Sequence, residues 1–90
     1  MSQFEVLLGN KAQKQLMSLE PEIRVRVEEL FKALEHTTVP FREYDLKKMA
    51  GSQNAYRVRL SGHCVLYEVI PSERKIKVTK IERRSDNTYN

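Results

Sequence analysis

The sequence predicts an α+β fold: an N-terminal strand, a two-helix hairpin, and then an antiparallel β-meander, with both helices packed on one face of the sheet. Three observations carry that expectation. A short apolar run opens the chain at Phe4-Glu5-Val6-Leu7-Leu8, apolar residues then recur at spacings of three and four as far as Leu34, and the stretch after Ala55 alternates without a further helical period. Ninety residues suit one compact unit, so residues 1–90 are expected to form a single domain.

The first strand should end at Gly9-Asn10, with Asn10 placed to cap the helix that follows. Helix one is predicted from about Lys11 to Ser18. Ala12, Leu16 and Leu19 form its buried stripe, leaving Lys11, Gln13, Lys14 and Gln15 to face water. Pro21 suits the first turn of a second helix, where its missing N–H costs nothing, and Glu20 and Glu22 complement the positive helix end. Ile23, Val27, Leu30, Phe31 and Leu34 carry this helix to about Glu35, and Thr37-Thr38-Val39-Pro40 ends it because β-branched residues before a proline disfavour further helix. A connecting loop then includes Asp45-Leu46-Lys47-Lys48-Met49 and turns at Ala50-Gly51-Ser52. Strands are predicted at Ala55 to Leu60, Cys64 to Ile70 and Lys75 to Glu82, and their short connections imply an antiparallel meander.

Composition narrows the function. No apolar run approaches the roughly 20 residues of a membrane helix, and Met-Ser-Gln-Phe-Glu-Val lacks the features of a signal peptide, so a cytoplasmic protein without a membrane partner is expected. The lone cysteine, Cys64, cannot form an internal disulfide. No zinc-type spacing of ligands occurs, and neither metal nor cofactor is expected. The net charge is +4, and its distribution is uneven: residues 1–56 hold 8 basic and 8 acidic side chains, whereas residues 57–90 hold 8 basic and 4 acidic. A basic C-terminal half fits a polyanionic partner, although lysines that protect sheet edges would give the same composition.

Strand alternation sharpens this. Tyr56, Val58 and Leu60 should pack under the helices with Val65, Tyr67 and Val69, which sends Arg57 and Arg59 to the opposite face beside Cys64, Leu66 and Glu68. The last strand changes parity between Val78 and Ile81, so a bulge or bend near Lys80 is expected, with Arg83 emerging near the other arginines. Phosphate and stacked bases are bound by such cationic and aromatic groups, and Tyr89 in the tail is a candidate for the latter.

These segments, Lys47-Lys48-Met49-Ala50-Gly51, Tyr56-Arg57-Val58-Arg59-Leu60, Gly62-His63-Cys64-Val65-Leu66-Tyr67, and Arg83 followed by Tyr89, resemble the RelE branch of the RelE/ParE toxin superfamily over essentially the whole chain. The resemblance implies a ribosome-dependent endoribonuclease that cuts messenger RNA by attack of a ribose 2′-hydroxyl on the adjacent phosphate. It also implies a RelB-like antitoxin as partner, besides the ribosome with its ribosomal RNA. By this likeness Arg57 and Arg59 bind the scissile phosphate and help activate the ribose 2′-hydroxyl, Arg83 stabilises charge and assists the leaving 5′-oxygen, and Tyr89 stacks or aids proton transfer; Lys47, Lys48, Lys77, Lys80 and Arg84 are further candidates for RNA contact. Cys64 stands where the family pattern Gly-Tyr-Arg has a catalytic arginine, so the site is one guanidinium short and cleavage is expected to be impaired. Two other functions share the fold: a ParE-like gyrase inhibitor, and a catalytically silent module that binds antitoxin or RNA.

Overall fold

The computed structural model describes residues 3–83, with element order β1 (Glu5–Leu8), α1 (Asn10–Met17), α2 (Pro21–His36), β2 (Asp45–Lys48), β3 (Ala55–Leu60), β4 (His63–Ile70), a 3-10 turn (Pro71–Glu73) and β5 (Lys75–Arg83). The strands form one sheet in the order β1-β5-β4-β3-β2. β2 to β5 run as an antiparallel meander, and β1 adds to the β5 edge in parallel, with Glu5 opposite Lys75 and Leu8 opposite Val78. The predicted α+β architecture is therefore the observed one.

Both helices lie on one face of the sheet because each has one apolar stripe. Ala12 and Leu16 from α1 and Val27, Leu30 and Leu34 from α2 close over Val58, Val65, Tyr67, Val69, Ile76, Val78 and Ile81, and this set is the buried core. Tyr67 is the largest of these side chains; its ring stacks on Tyr56 and its hydroxyl donates to the Thr38 carbonyl at 2.7 Å, so the one polar atom of the ring is satisfied.

Three details differ from the sequence expectation. Gly9, not Asn10, is the N-cap of α1: its backbone is extended and its carbonyl accepts the first helical hydrogen bond, from Gln13 N–H, while Asn10 is already in the helix. Asp45–Lys48 is a strand rather than loop. Three of its four residues are charged and only Leu46 packs against the core, so periodicity gives no signal; pairing with β3 creates the strand. Gln15, expected to face water, instead accepts a hydrogen bond from Ile81 N–H at 2.7 Å. The cause is geometric: β1 ends opposite Val78, so β5 beyond that point has an unpaired edge, and the Gln15 amide oxygen supplies the carbonyl that a longer β1 would have offered.

The predicted bulge is present. Tyr67 pairs with Val78 and Leu66 with Lys80, leaving Thr79 as the extra residue, with its hydroxyl donating to the Leu66 carbonyl. That insertion returns Ile81 to the core. β3 and β4 are joined by the two-residue turn Ser61-Gly62, both at positive φ, between the paired residues Leu60 and His63. Such a turn matches strand twist and fixes register. No helix among the described residues is long and apolar enough to cross a membrane.

Candidate functional site

The sheet face away from the helices carries the residues of interest in two rows that run across the strands. One row is Asp45, Arg59, Cys64 and Glu82; the next is Lys47, Arg57, Leu66 and Lys80. Register alone sets these rows, because each residue is the direct cross-strand partner of its neighbour, and successive rows are two residues apart, roughly 6–7 Å along each strand. Lys77, opposite Glu68, lies in the row beyond. Arg57, Arg59 and Cys64 lie on the face that strand alternation predicts, and Lys47, Lys77 and Lys80 share it.

The β2–β3 edge of this face is concave. Asp45, Leu46, Lys47, Arg57 and Arg59 line a depression of about 170 Å3 on β2 and β3. Arg59 is exposed, whereas Arg57 is half-buried and its Nε is fully enclosed with no hydrogen-bond partner in the protein. A buried donor without an acceptor costs about 1–3 kcal/mol. Lys47 stands directly opposite Arg57, and like charges in that relation destabilise the strand pair. The fold therefore sustains an unfavourable concentration of positive charge around an orphaned N–H, an arrangement that an anion would relieve. Lys80 is less available, since it pairs with Glu82 at 3.7 Å in an exposed contact. Cys64 is half-buried between Arg59 and Glu82 in its row.

Two expected members are not brought here. Arg83 was expected beside the other arginines, but it pairs with His63 and has the same parity as buried Ile81, so it belongs to the helix side of the sheet. There it lines a separate open cleft of about 580 Å3 with Gln15, Leu19, Ile23 and His63. The physical reason is that once Thr79 is absorbed by the bulge, strict alternation resumes and Glu82, rather than Arg83, faces Cys64. Lys48 is exposed but pairs with Tyr56, on the parity of the helix side. Arg84 and Tyr89 lie outside the described residues. Conversely, the sequence reading gave no place to Asp45 and treated Leu66 only as a neighbour; recognising Asp45–Lys48 as a strand in register with β3 would have put Asp45 in the site.

Comparison with known proteins agrees with this architecture. No family model matches the chain. A protein of Methanocaldococcus jannaschii that carries the toxin name RelE1 is 33% identical over 81 residues, which is 90% of each chain. Among solved structures, the archaeal RelE–RelB complex of Pyrococcus horikoshii OT3 matches with a TM-score of 0.84 and 30% identity, covering 96% of this chain and 99% of that one. The intact E. coli RelBE toxin–antitoxin complex matches with a TM-score of 0.78 over 91% of this chain and 98% of that one. At 17% identity the second structure speaks for the fold alone. With sequence identity sustained over nine-tenths of its length, the same sheet and the same helix hairpin, the chain belongs to the RelE family of toxins.

Proposed function

We propose that this chain is the toxin of a toxin–antitoxin pair and acts as a ribosome-dependent messenger-RNA endoribonuclease. The observation that carries the proposal is the orphaned, enclosed Nε of Arg57 in a depression it shares with Arg59 and Lys47. A phosphodiester supplies what that N–H lacks. Its oxygens accept from Arg57 and Arg59, and charge that builds on phosphorus during 2′-oxygen attack meets cations that are already fixed in place. Lys77 and Lys80 extend the cationic surface along β5 and serve the RNA backbone on either side, as Arg84 would. In this reading the ribosome presents the messenger, and its RNA is bound by the same basic face.

Two further groups belong to the proposed chemistry but are not among the described residues of this face. Tyr89 is proposed to stack on a nucleotide, and Arg83, which lines the other side of the sheet in this conformation, assists the leaving oxygen only if the end of β5 turns toward the substrate. Cys64 is proposed to weaken turnover, because a neutral thiol stands beside Arg59 where the family pattern has an arginine, which leaves the site one guanidinium short. The partner is a RelB-like antitoxin, in keeping with the complexes formed by the P. horikoshii and E. coli proteins. A cytoplasmic location and a single domain over residues 1–90 belong to the same reading.

The test is translation in a purified system programmed with a defined messenger. Addition of the protein should lower synthesis, Arg57→Ala should relieve the inhibition, and the antitoxin should abolish it. Inhibition of gyrase supercoiling with unaffected translation would instead establish a ParE-like function. Ribosome binding without inhibition would establish a silent binding module, the reading that Cys64 favours.

A further inference from the structure

The nuclease reading leaves one proton without a destination. Cleavage begins when the ribose 2′-hydroxyl loses its proton, yet the groups that hold the phosphate are guanidinium and ammonium ions, and a guanidinium does not accept protons in proteins. Among the described residues of this face, the carboxylates are the groups able to accept it.

That face carries few carboxylates, and they are not equivalent. Glu82 is engaged by Lys80 at 3.7 Å. Glu68 lies in the row beyond Arg57, opposite Ala55 and Lys77. Asp45 differs from both. It lines the depression itself with Arg57 and Arg59, it is the direct cross-strand partner of Arg59, and among the described residues its carboxylate makes no ion pair or hydrogen bond. Cross-strand partners have Cβ atoms about 4.5–5.5 Å apart. A phosphate bridging Arg57 and Arg59 would therefore present its neighbouring ribose to a free carboxylate on the open edge strand β2, where no further strand obstructs a chain of RNA.

Resting on the nuclease reading, we propose that Asp45 is the catalytic base that takes the 2′-hydroxyl proton. The 2′-oxygen bonds to phosphorus as its proton moves to the Asp45 carboxylate. The bond from phosphorus to the 5′-oxygen breaks with its electron pair on oxygen, which takes a proton from water, and Asp45 returns its proton to the hydroxide so formed. The products are a 2′,3′-cyclic phosphate and a free 5′-hydroxyl, with nothing oxidised or reduced. A plainer role for Asp45, partial neutralisation of Arg59, makes the opposite prediction: removing the carboxylate would then strengthen RNA binding and leave or raise the rate.

Single-turnover cleavage on programmed ribosomes separates the two roles, measured in the native sequence and in a Cys64→Arg background, with folding checked by circular dichroism and ribosome binding by co-sedimentation. Asp45→Asn should lower the cleavage rate by about 10²–10⁴-fold, the usual contribution of a general base, with ribosome binding retained. Asp45→Glu should retain part of the rate, and added formate should restore cleavage to Asp45→Gly while leaving the parent unaffected. An Asp45→Asn protein that cleaves at or above the parent rate, or an Asp45→Gly protein that formate does not restore, overturns the role of Asp45 and leaves the nuclease reading standing. Absence of cleavage by both parents removes the nuclease reading, and this inference with it.

Discussion

Replacing Arg57 by methionine should make the protein more stable and less active at once. The guanidinium Nε is enclosed without an acceptor, a defect worth about 1–3 kcal/mol. Lys47 stands directly across the strand pair, and relief of like-charge repulsion between direct partners adds a few tenths, about 0.2–1 kcal/mol. Methionine keeps an unbranched apolar stem in the same volume, so the packing of the arginine methylenes beside Leu66 is largely retained. Against these gains stands the loss of the outer guanidinium's contact with water, which is nearly neutral for a half-buried side chain. The net expectation is a gain of about 1–2 kcal/mol after allowing for incomplete repacking. For a domain of this length each kcal/mol moves Tm by about 4–8 °C, which thermal unfolding followed by circular dichroism resolves easily. Inhibition of translation by the same variant should fall sharply. A variant whose Tm drops by several degrees would show that the Arg57 Nε is satisfied in the folded protein, and the reasoning that makes it an anion site would fail.

Other consequences follow from single contacts. Gln15→Leu removes the acceptor for Ile81 N–H and should destabilise by about 1–3 kcal/mol, read as a lower urea midpoint with unchanged slope; an unchanged midpoint would mean that the end of β5 finds another partner. Gly62→Ala places a side chain at φ +77 in the β3–β4 turn and should cost about 1 kcal/mol or more, whereas the same change at Gly9, with φ −67, should be milder. Stability should also fall in alkali. Burial first, and neighbouring Tyr56 second, raise the Tyr67 phenol above its ordinary range, so the folded state retains a proton that the unfolded state releases above about pH 10. Unfolding then releases that proton, and stability declines with rising pH by at most about 1.4 kcal/mol per unit from this group. Tyr67→Phe should flatten that decline; equal slopes in the two proteins would exclude Tyr67 as its source.

How much of this was legible without coordinates depended on whether a residue's environment is set locally. The helix stripes and the alternation in β3 and β4 follow from periods of 3.6 and 2, and they correctly sent Arg57, Arg59 and Cys64 to one face and Tyr67 to the other. The parity change in β5 gave away the bulge as well. What remained hidden was set by pairing. β2 has one apolar residue in four and exists because β3 offers it an edge. Gln15 looks like any solvent-facing helical residue until β1 is seen to stop at Leu8. Arg83 lies two residues beyond buried Ile81, so the alternation that resumes after the bulge carries it to the helix side with Ile81 and away from the other arginines. The site suffered from the first of these errors: without β2 there was no depression, and Asp45 had no neighbours.

Primer extension on messenger RNA in purified translating ribosomes tests the central claim most directly, comparing the native protein with Cys64→Arg and each with its Arg57→Ala counterpart. The expected result is a set of extension stops within the occupied codon, stronger for Cys64→Arg than for the native protein and lost in both on Arg57→Ala. Stops that persist undiminished without Arg57, or no stops from any folded variant, would contradict a nuclease site on the open face of this sheet.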